Sequence, residues 1–359
     1  MRLLITFLFS LWGCVGARAG DGVIQHRLKL MQFNVWQEGT QVTNGFDKMI
    51  DVMLASDADL VALSEVRNYQ GKDFHERILD ALKVKAPERK YYGEYAGGDV
   101  GLISRFPIEA QAGMFDGTAN DTGSIKAWRM TLPGELKATI CSAHLDYRGY
   151  GLYLVRGYEG GYPHFKMRDA DQDGVPDRVT DVEEIMAYNR RSQRNKSIAD
   201  FLTFAQQEEA AGRVVILAGD FNEGSHLDWT ERAKHSFGHY GVALPWDNSI
   251  ALQRHGFLDA YRVVHPDEIE YPGFTWPAIA DGKQTTSWAL KADERDRIDF
   301  IYYGTRVIPA FRATQAWLVG PKACFIGNEK VPNPGRDSYV GDALPWPSDH
   351  AGVLVEFTW

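Results

Sequence analysis

Residues 214–222 read VVILAGDFN. The run opens on two β-branched residues and stays apolar for five positions. It is too short for a buried helix and bears no charge until its end, so it reads as a strand buried on both faces. Such strands lie inside layered α/β sheets, and ligands collect where they end. Here the end carries Asp220 and Asn222.

The pattern repeats on both sides of this stretch. Upstream, residues 181–211 read as one long polar helix. IKAWRMTL (125–132) and LKATICSAHL (136–145) form a hairpin around Pro133-Gly134. VGLIS (100–104), closed by Pro107, LVALSEV (60–66) and residues 28–36 are further strands. Residues 45–56 and 73–86 have apolar residues at helical spacing. Downstream, 297–303, 312–319 and 351–357 add strands. Alternating strands and helices without a linker or repeat predict a single α/β domain with two sheets and flanking helices.

The composition agrees. Of 359 residues, 44% are apolar and 24% charged, with a formal net charge of −9. That excludes a disordered, collagenous or disulfide-dense chain. It also argues against a broad basic surface for non-specific duplex binding. Arg2, the apolar run Leu3–Trp12 and Ala17-Arg18-Ala19 have the form of a secretory signal peptide, too short for a membrane span. Residues 1–19 are therefore expected to be removed, leaving a secreted or periplasmic chain of 20–359. Two arginines and no acid go with the leader, so the net charge becomes −11. Cys141 and Cys324 remain, either as one disulfide or as two separate buried thiols.

The chemistry lies in how the strands end. Asn34, Glu65, His144, Asp220 with Asn222, Asp299, and the Ser348-Asp349-His350 segment each follow or precede an apolar run. A buried carboxylate is costly alone, and several together repel unless a divalent cation neutralises them. Oxygen donors suit Mg²⁺ or Mn²⁺ better than zinc. Two histidines beside such acids make an acid–base pair. Singly, each of these residues is more often a cap, a turn or a satisfied structural group. Their joint occurrence is what carries weight.

Taken together, QFNVW (32–36), LSEV (63–66), SAHLD (142–146), LAGDFN (217–222), DRIDFIYY (296–303) and PSDHAGV (347–353) resemble the endonuclease/exonuclease/phosphatase superfamily of metal-dependent phosphoesterases. The motifs run in that family's order over nearly the whole chain after the leader. The resemblance implies a four-layer α/β sandwich of two mixed sheets with outer helices. It implies Glu65, Asn34 and Asp349 as metal-associated residues, and His350 with Asp299 as the pair that activates water. Asp220 and Asn222 would orient water or phosphate. His144 would meet a phosphoryl oxygen or the leaving group, as in the deoxyribonuclease, sphingomyelinase and inositol-phosphatase branches.

Other features fall outside these motifs. His226 and Asp228 follow Asn222 closely enough to line a substrate pocket, though Asp228 also fits a helix cap. FTWP (274–277) is an aromatic loop and a candidate rim. Arg190, Arg191 and Arg194 make either an anion-binding or, more simply, a solvated helix face. Residues 147–180 form an excursion rich in tyrosine and glycine. Within it DADQDGVPD (169–177) places Asp169, Asp171, Asp173 and Asp177 as in the first half of an EF-hand loop. Thr180 stands where the closing glutamate is expected. A structural Ca²⁺ is therefore expected beside the Mg²⁺.

The expected function is a secreted Mg²⁺-dependent phosphoesterase that uses metal-assisted, in-line water attack on a phosphate mono- or diester. The preferred substrates are phospholipid head groups, inositol or sugar phosphates, or glycan phosphodiesters. A secreted deoxyribonuclease-type endonuclease is the alternative, with nucleic acid as partner. A non-catalytic binding module would require the loss of a motif residue, and none is lost. Oligomeric state is not legible.

Overall fold

The structure is a computed structural model, and it describes residues 25–116, 123–160 and 165–359. The leader expected over residues 1–19 lies outside the described residues.

In chain order the elements are β1 (Arg27–Asn34), α1 (Gly45–Ser56), β2 (Leu60–Ser64), α2 (Phe74–Lys85), β3 (Tyr92–Gly93), β4 (Val100–Ser104), β5 (Ala110–Asp116), β6 (Gly123–Leu132) and β7 (Leu136–Leu145). There follow α3 (Leu152–Val155), α4 (Val182–Asn189), α5 (Arg194–Ala210), β8 (Val214–Asp220), α6 (Asp247–Arg254), β9 (Phe257–Asp259), α7 (Ala260–Val264) and β10 (Asp299–Gly304). The chain closes with β11 (Arg312–Val319), β12 (Ala323–Ile326), β13 (Glu329–Pro332), β14 (Tyr339–Val340) and β15 (Gly352–Thr358).

Two large mixed sheets result. One has the order β14-β11-β15-β1-β2-β4-β3, the other β5-β6-β7-β8-β10-β9, and β12 pairs with β13 alone. The alternation read in the β8 sequence is what stacks them. Val214, Ile216 and Ala218 face Leu30, Leu60 and Ala62 of the other sheet across the central core. Val215 and Leu217 face outward onto Ile198, Phe201 and Ala205 of α5. Met49, Ile50 and Met53 of α1 and Ile78 of α2 cover Met31, Phe33 and Val61 on the opposite outer face. Helix, sheet, sheet, helix is the expected four-layer sandwich. Each sheet has a central parallel pair, β1 with β2 and β7 with β8. In each case helices make the crossover, and the ends of β1, β2, β7 and β8 collect at the site.

Several local expectations are corrected. The helix expected over 181–211 is two helices, α4 and α5. Nothing in the sequence breaks the period, yet Asp146 Oδ2 accepts the Gln193 N–H at 2.9 Å and Arg194 turns inward. Arg194 is fully buried and donates to the carbonyls of Arg148 and Gly149 at 2.9 Å, so it ties down the excursion instead of offering a solvated face. Arg190 pairs with Asp247. Cys141 and Cys324 are both free and buried, which decides for separate thiols. The first strand ends at Asn34, and Trp36 falls in a left-handed turn beyond it.

Candidate active site

Three functional residues come from one row of the second sheet. His144, at the end of β7, lies in register with Asp220 at the end of β8, and Asp220 with Asp299 at the start of β10. On the inward face of β8 the apolar residues alternate with period two, and Asp220 is the next member of that series. It therefore points between the sheets at their open end. The strands pass very close here. A Cβ on Gly219 would stand 2.1 Å from the Ala143 carbonyl oxygen, so only glycine fits.

The first sheet supplies the facing half. Asn34 ends β1 and Glu65 directly follows β2 with a left-handed φ of 67°. A glutamate in that region is strained, as residues at functional sites often are. Asn34 Nδ2 donates to Glu65 Oε1 at 3.2 Å and to Asp220 Oδ2 at 3.0 Å, joining the two sheets. The Gln37 N–H binds Glu65 Oε2 at 2.9 Å. Ser348 Oγ donates to the Asn34 carbonyl at 2.7 Å and accepts from the His350 N–H at 3.1 Å, which sets the segment before β15. Asn222 also takes a left-handed φ of 48°, tolerable for Asn, and donates to the Leu145 carbonyl at 3.0 Å.

Two histidine–carboxylate pairs face each other. His350 Nδ1 donates to Asp299 Oδ2 at 2.9 Å, and Gln32 Nε2 donates to the other Asp299 oxygen at 2.9 Å. His144 Nδ1 donates to Asp99. The free Nε2 atoms both approach Asp220 Oδ2, at 3.7 Å from His350 and 3.8 Å from His144. Asp99, just before β4, also pairs with Arg67 at 3.3 Å, and Arg67 reaches Glu65 at 3.8 Å.

Asp99, Arg67 and Gln32 also belong to this site, though none is among the site residues expected from the sequence. Asp99 looks like a turn residue after two glycines. Its position directly before an apolar strand is the same signal that marked the other acids, displayed at the opposite strand end.

Charge is concentrated here. Burial lifts the Asp220 carboxyl to about 6, with His350 and His144 pulling it down and Asp299 pushing it up. Burial likewise lifts Asp349 to about 7, against the pull of His350 and with the push of Glu65 and Asp220. Burial opposes charge on His350, yet Asp299 and Asp220 raise it to about 10. The same balance raises His144 to about 9, with Asp99 its main anionic neighbour. Asp349 Oδ1 is buried without a hydrogen-bond partner. Buried acids that repel one another, one of whose oxygens has no hydrogen bond and only His350 Nε2 at 4.0 Å, suit a divalent cation, and Asp220, Asp299 and His350 bring ligand atoms within 4.8 Å of one another here.

The site opens into a cavity of about 320 Å³. Glu65, His144, Asp220, Asn222, Asp349 and His350 line it. Trp36, Gln37, Gln41, Arg67, Tyr147, Tyr150, Trp276, Trp288 and Ile298 complete the lining. The excursion and the FTWP loop thus both reach the site. His226 and Asp228 do not line it. His226 hydrogen-bonds Ser249 and Gln253. Asp228 caps no helix but is held between Arg262 and Arg297, at 2.7 and 2.8 Å. A buried carboxylate between two guanidiniums is a structural group, and neither residue is placed to meet a substrate in this cavity. The acidic loop also lies apart, where Asp169, Asp171 and Asp173 bring carboxylate oxygens within 4.8 Å of one another. Asp177 instead accepts the Ala170 N–H at 2.6 Å.

The model of the Endonuclease/Exonuclease/phosphatase family matches residues 31–350. The chain belongs to this family. A relative from Caenorhabditis elegans, "Uncharacterized protein F14F9.5", is 27% identical over 337 residues, covering 92% of this chain and 91% of the relative. Among solved structures, truncated Caenorhabditis elegans TDP2 is 14% identical with a TM-score of 0.48, covering 93% of this chain and 98% of that one. The human Nocturnin catalytic domain, solved with a bound sulfate, is 16% identical with a TM-score of 0.47, covering 92% and 94%. Members of the family are phosphoesterases, and the paired acids and histidines are the chemistry such hydrolysis needs.

Proposed function

We propose that the protein is a secreted or periplasmic, Mg²⁺-dependent phosphoesterase acting on a phosphate ester that is not nucleic acid. The observation that carries this is the convergence of two histidine–carboxylate pairs on one oxygen of Asp220. Their two Nε2 atoms face a shared space beside Glu65 and an Asp349 oxygen that accepts no hydrogen bond.

Glu65, with Asn34 and Asp349, would hold the cation; when bound, a Mg²⁺ polarises a phosphoryl oxygen and stabilises a leaving oxyanion. With a cation held beside it to offset the anionic field of Asp220 and Asp349, His350 would be neutral at Nε2 and would take a proton there from the attacking water, while Asp299 fixes its tautomer and stabilises the imidazolium. Asp220 and Asn222 orient that water and the phosphate. His144, held protonated by Asp99, donates at Nε2 to the phosphoryl oxygen or the leaving alkoxide.

The lining of the cavity supports a small or terminal ester. Among its described residues only Arg67 carries a lysine or arginine charge, and Arg67 is engaged with Asp99 and Glu65. Duplex nucleic acid is gripped through several successive phosphate contacts.

The test is chelator-stripped protein with added Mg²⁺, offered supercoiled plasmid, sphingomyelin, bis-p-nitrophenyl phosphate and p-nitrophenyl phosphate in parallel. Hydrolysis of small or lipid esters is expected, lost in His350→Ala. Rapid plasmid nicking would favour the nuclease alternative. The acidic loop is read as a separate Ca²⁺ site of Asp169, Asp171 and Asp173. Ca²⁺ should then slow proteolysis of the 147–180 excursion, and unchanged cleavage would remove that site from the account.

A further inference from the structure

Beyond the catalytic groups, the cavity wall has a feature that hydrolysis alone does not require. Trp36, Gln37 and Glu38 hold φ values of 41°, 55° and 60°, three consecutive non-glycine residues in the left-handed region. Each costs free energy there, and such strain persists only where the surroundings enforce it. Asn34 Oδ1 accepts the Trp36 N–H at 2.9 Å, and the buried Glu38 carboxylate accepts the Arg67 and Asn68 N–H groups at 2.9 and 2.5 Å. The turn places the Trp36 and Gln37 side chains on the cavity wall.

Gln37 Oε1 is taken by the Tyr69 hydroxyl at 3.0 Å and by Gln41 Nε2 at 3.3 Å. This fixes the amide and leaves its NH₂ to donate. Trp288 lines the same cavity from the loop before β10 and remains 38% exposed, packed edge-on against Trp276 with centroids 5.4 Å apart. Aromatic faces with an amide donor suit a ring that carries acceptor oxygens. They do not suit a quaternary ammonium, because Lys283 already sets its charge 5.2 Å from the Trp36 ring centroid.

We propose that Trp36, Gln37 and Trp288 form a ring-binding subsite, so that the enzyme prefers phosphate esters of ring alcohols over those of choline or acyclic polyols. This rests on the phosphoesterase reading and names its substrate class.

The test compares kcat/KM for myo-inositol 1-phosphate, glucose 1-phosphate and AMP with that for glycerol 3-phosphate and phosphocholine, each also as its methyl diester. The three ring esters distinguish cyclitol, sugar and nucleoside as sources. Ring esters should lead by about tenfold, a difference of about 1.4 kcal/mol. In Trp36→Ala and Trp288→Ala the ratio of ring to acyclic kcat/KM should fall by about tenfold, and Trp36→Phe should restore most of it. An equal loss on every ester would mean the tryptophans serve only the fold, and phosphocholine as best substrate would also overturn the proposal.

Calorimetric binding of myo-inositol 1-phosphate to His350→Ala in Mg²⁺ separates the two claims. Tryptophan-dependent binding without hydrolysis of any ester by the wild-type protein would leave the subsite standing and sink the phosphoesterase reading. Hydrolysis without ring preference would do the reverse.

Discussion

Replacing Asp99 with asparagine removes a charge from the site while keeping its shape. Asp99 is the principal anion holding His144, whose pKa stands at about 9 against an ordinary 6.5. That rise corresponds to about 3 kcal/mol in favour of the imidazolium, net of the burial that opposes it. Asparagine supplies no charge, and its amide turned toward Nδ1 would impose the other tautomer. The His144 pKa should then fall, leaving more of the ring neutral at pH 7.5. If His144 donates a proton or a charged hydrogen bond in the transition state, kcat should drop by about 100-fold. The alkaline limb of the pH–rate profile should also move to lower pH. The assay is steady-state hydrolysis of bis-p-nitrophenyl phosphate in saturating Mg²⁺ from pH 5.5 to 10, with the histidine titration followed by NMR. An Asp99→Asn enzyme that keeps both its kcat and its alkaline limb would refute the role given to the pair.

Three further outcomes concern the fold. Glu294 is fully buried, accepts from the Tyr153 hydroxyl at 2.7 Å and the Trp288 N–H at 3.0 Å, and is pushed by burial to about 7. A carboxyl raised on folding costs stability as pH climbs from the unfolded value of about 4.5 through 7, so Glu294→Gln should gain up to about 3 kcal/mol at pH 8 and little at pH 4.5; a loss of urea resistance at pH 8 would contradict this. His75 is buried with neither ring nitrogen hydrogen-bonded, and burial lowers it to about 4. A histidine depressed on folding costs stability as pH falls from 6.5 to 4, by about 3 kcal/mol, so the stability of wild type relative to His75→Leu should fall by about that much over this range; a difference that does not change with pH would show that His75 does not titrate with unfolding. Gly219→Ala would drive a methyl onto the Ala143 carbonyl oxygen and should prevent stable folding, checked by thermal melt; a native-like melt would show that the β7–β8 approach is looser than the structure has it.

The strands and most of the site were readable because burial constrains composition so tightly. A chain covered on both faces must be apolar, so Asp220 at the end of Val214–Gly219 stood out as soon as it appeared, and His144 and Asp299 did so in the same way. What escaped was set by side chains far apart in sequence. Asp99 is meaningful only because His144 lies opposite it, and the break between α4 and α5 follows from Asp146 and from the burial of Arg194, neither visible in helical periodicity. His226 and Asp228 failed for the complementary reason. Nearness to Asn222 in sequence did not survive the turn that carries them toward Arg262 and Arg297.

The central claim is that a cation held at Glu65 and a base at His350 together hydrolyse a phosphate ester. The most direct measurement is a Mg²⁺ titration of chelator-stripped protein, followed in parallel by calorimetry and by bis-p-nitrophenyl phosphate hydrolysis, for wild type, Glu65→Gln and His350→Ala. Binding and activity should rise together in wild type, Glu65→Gln should lose both, and His350→Ala should bind Mg²⁺ but turn over at least about 100-fold more slowly. Full activity without metal, or in Glu65→Gln, would contradict it.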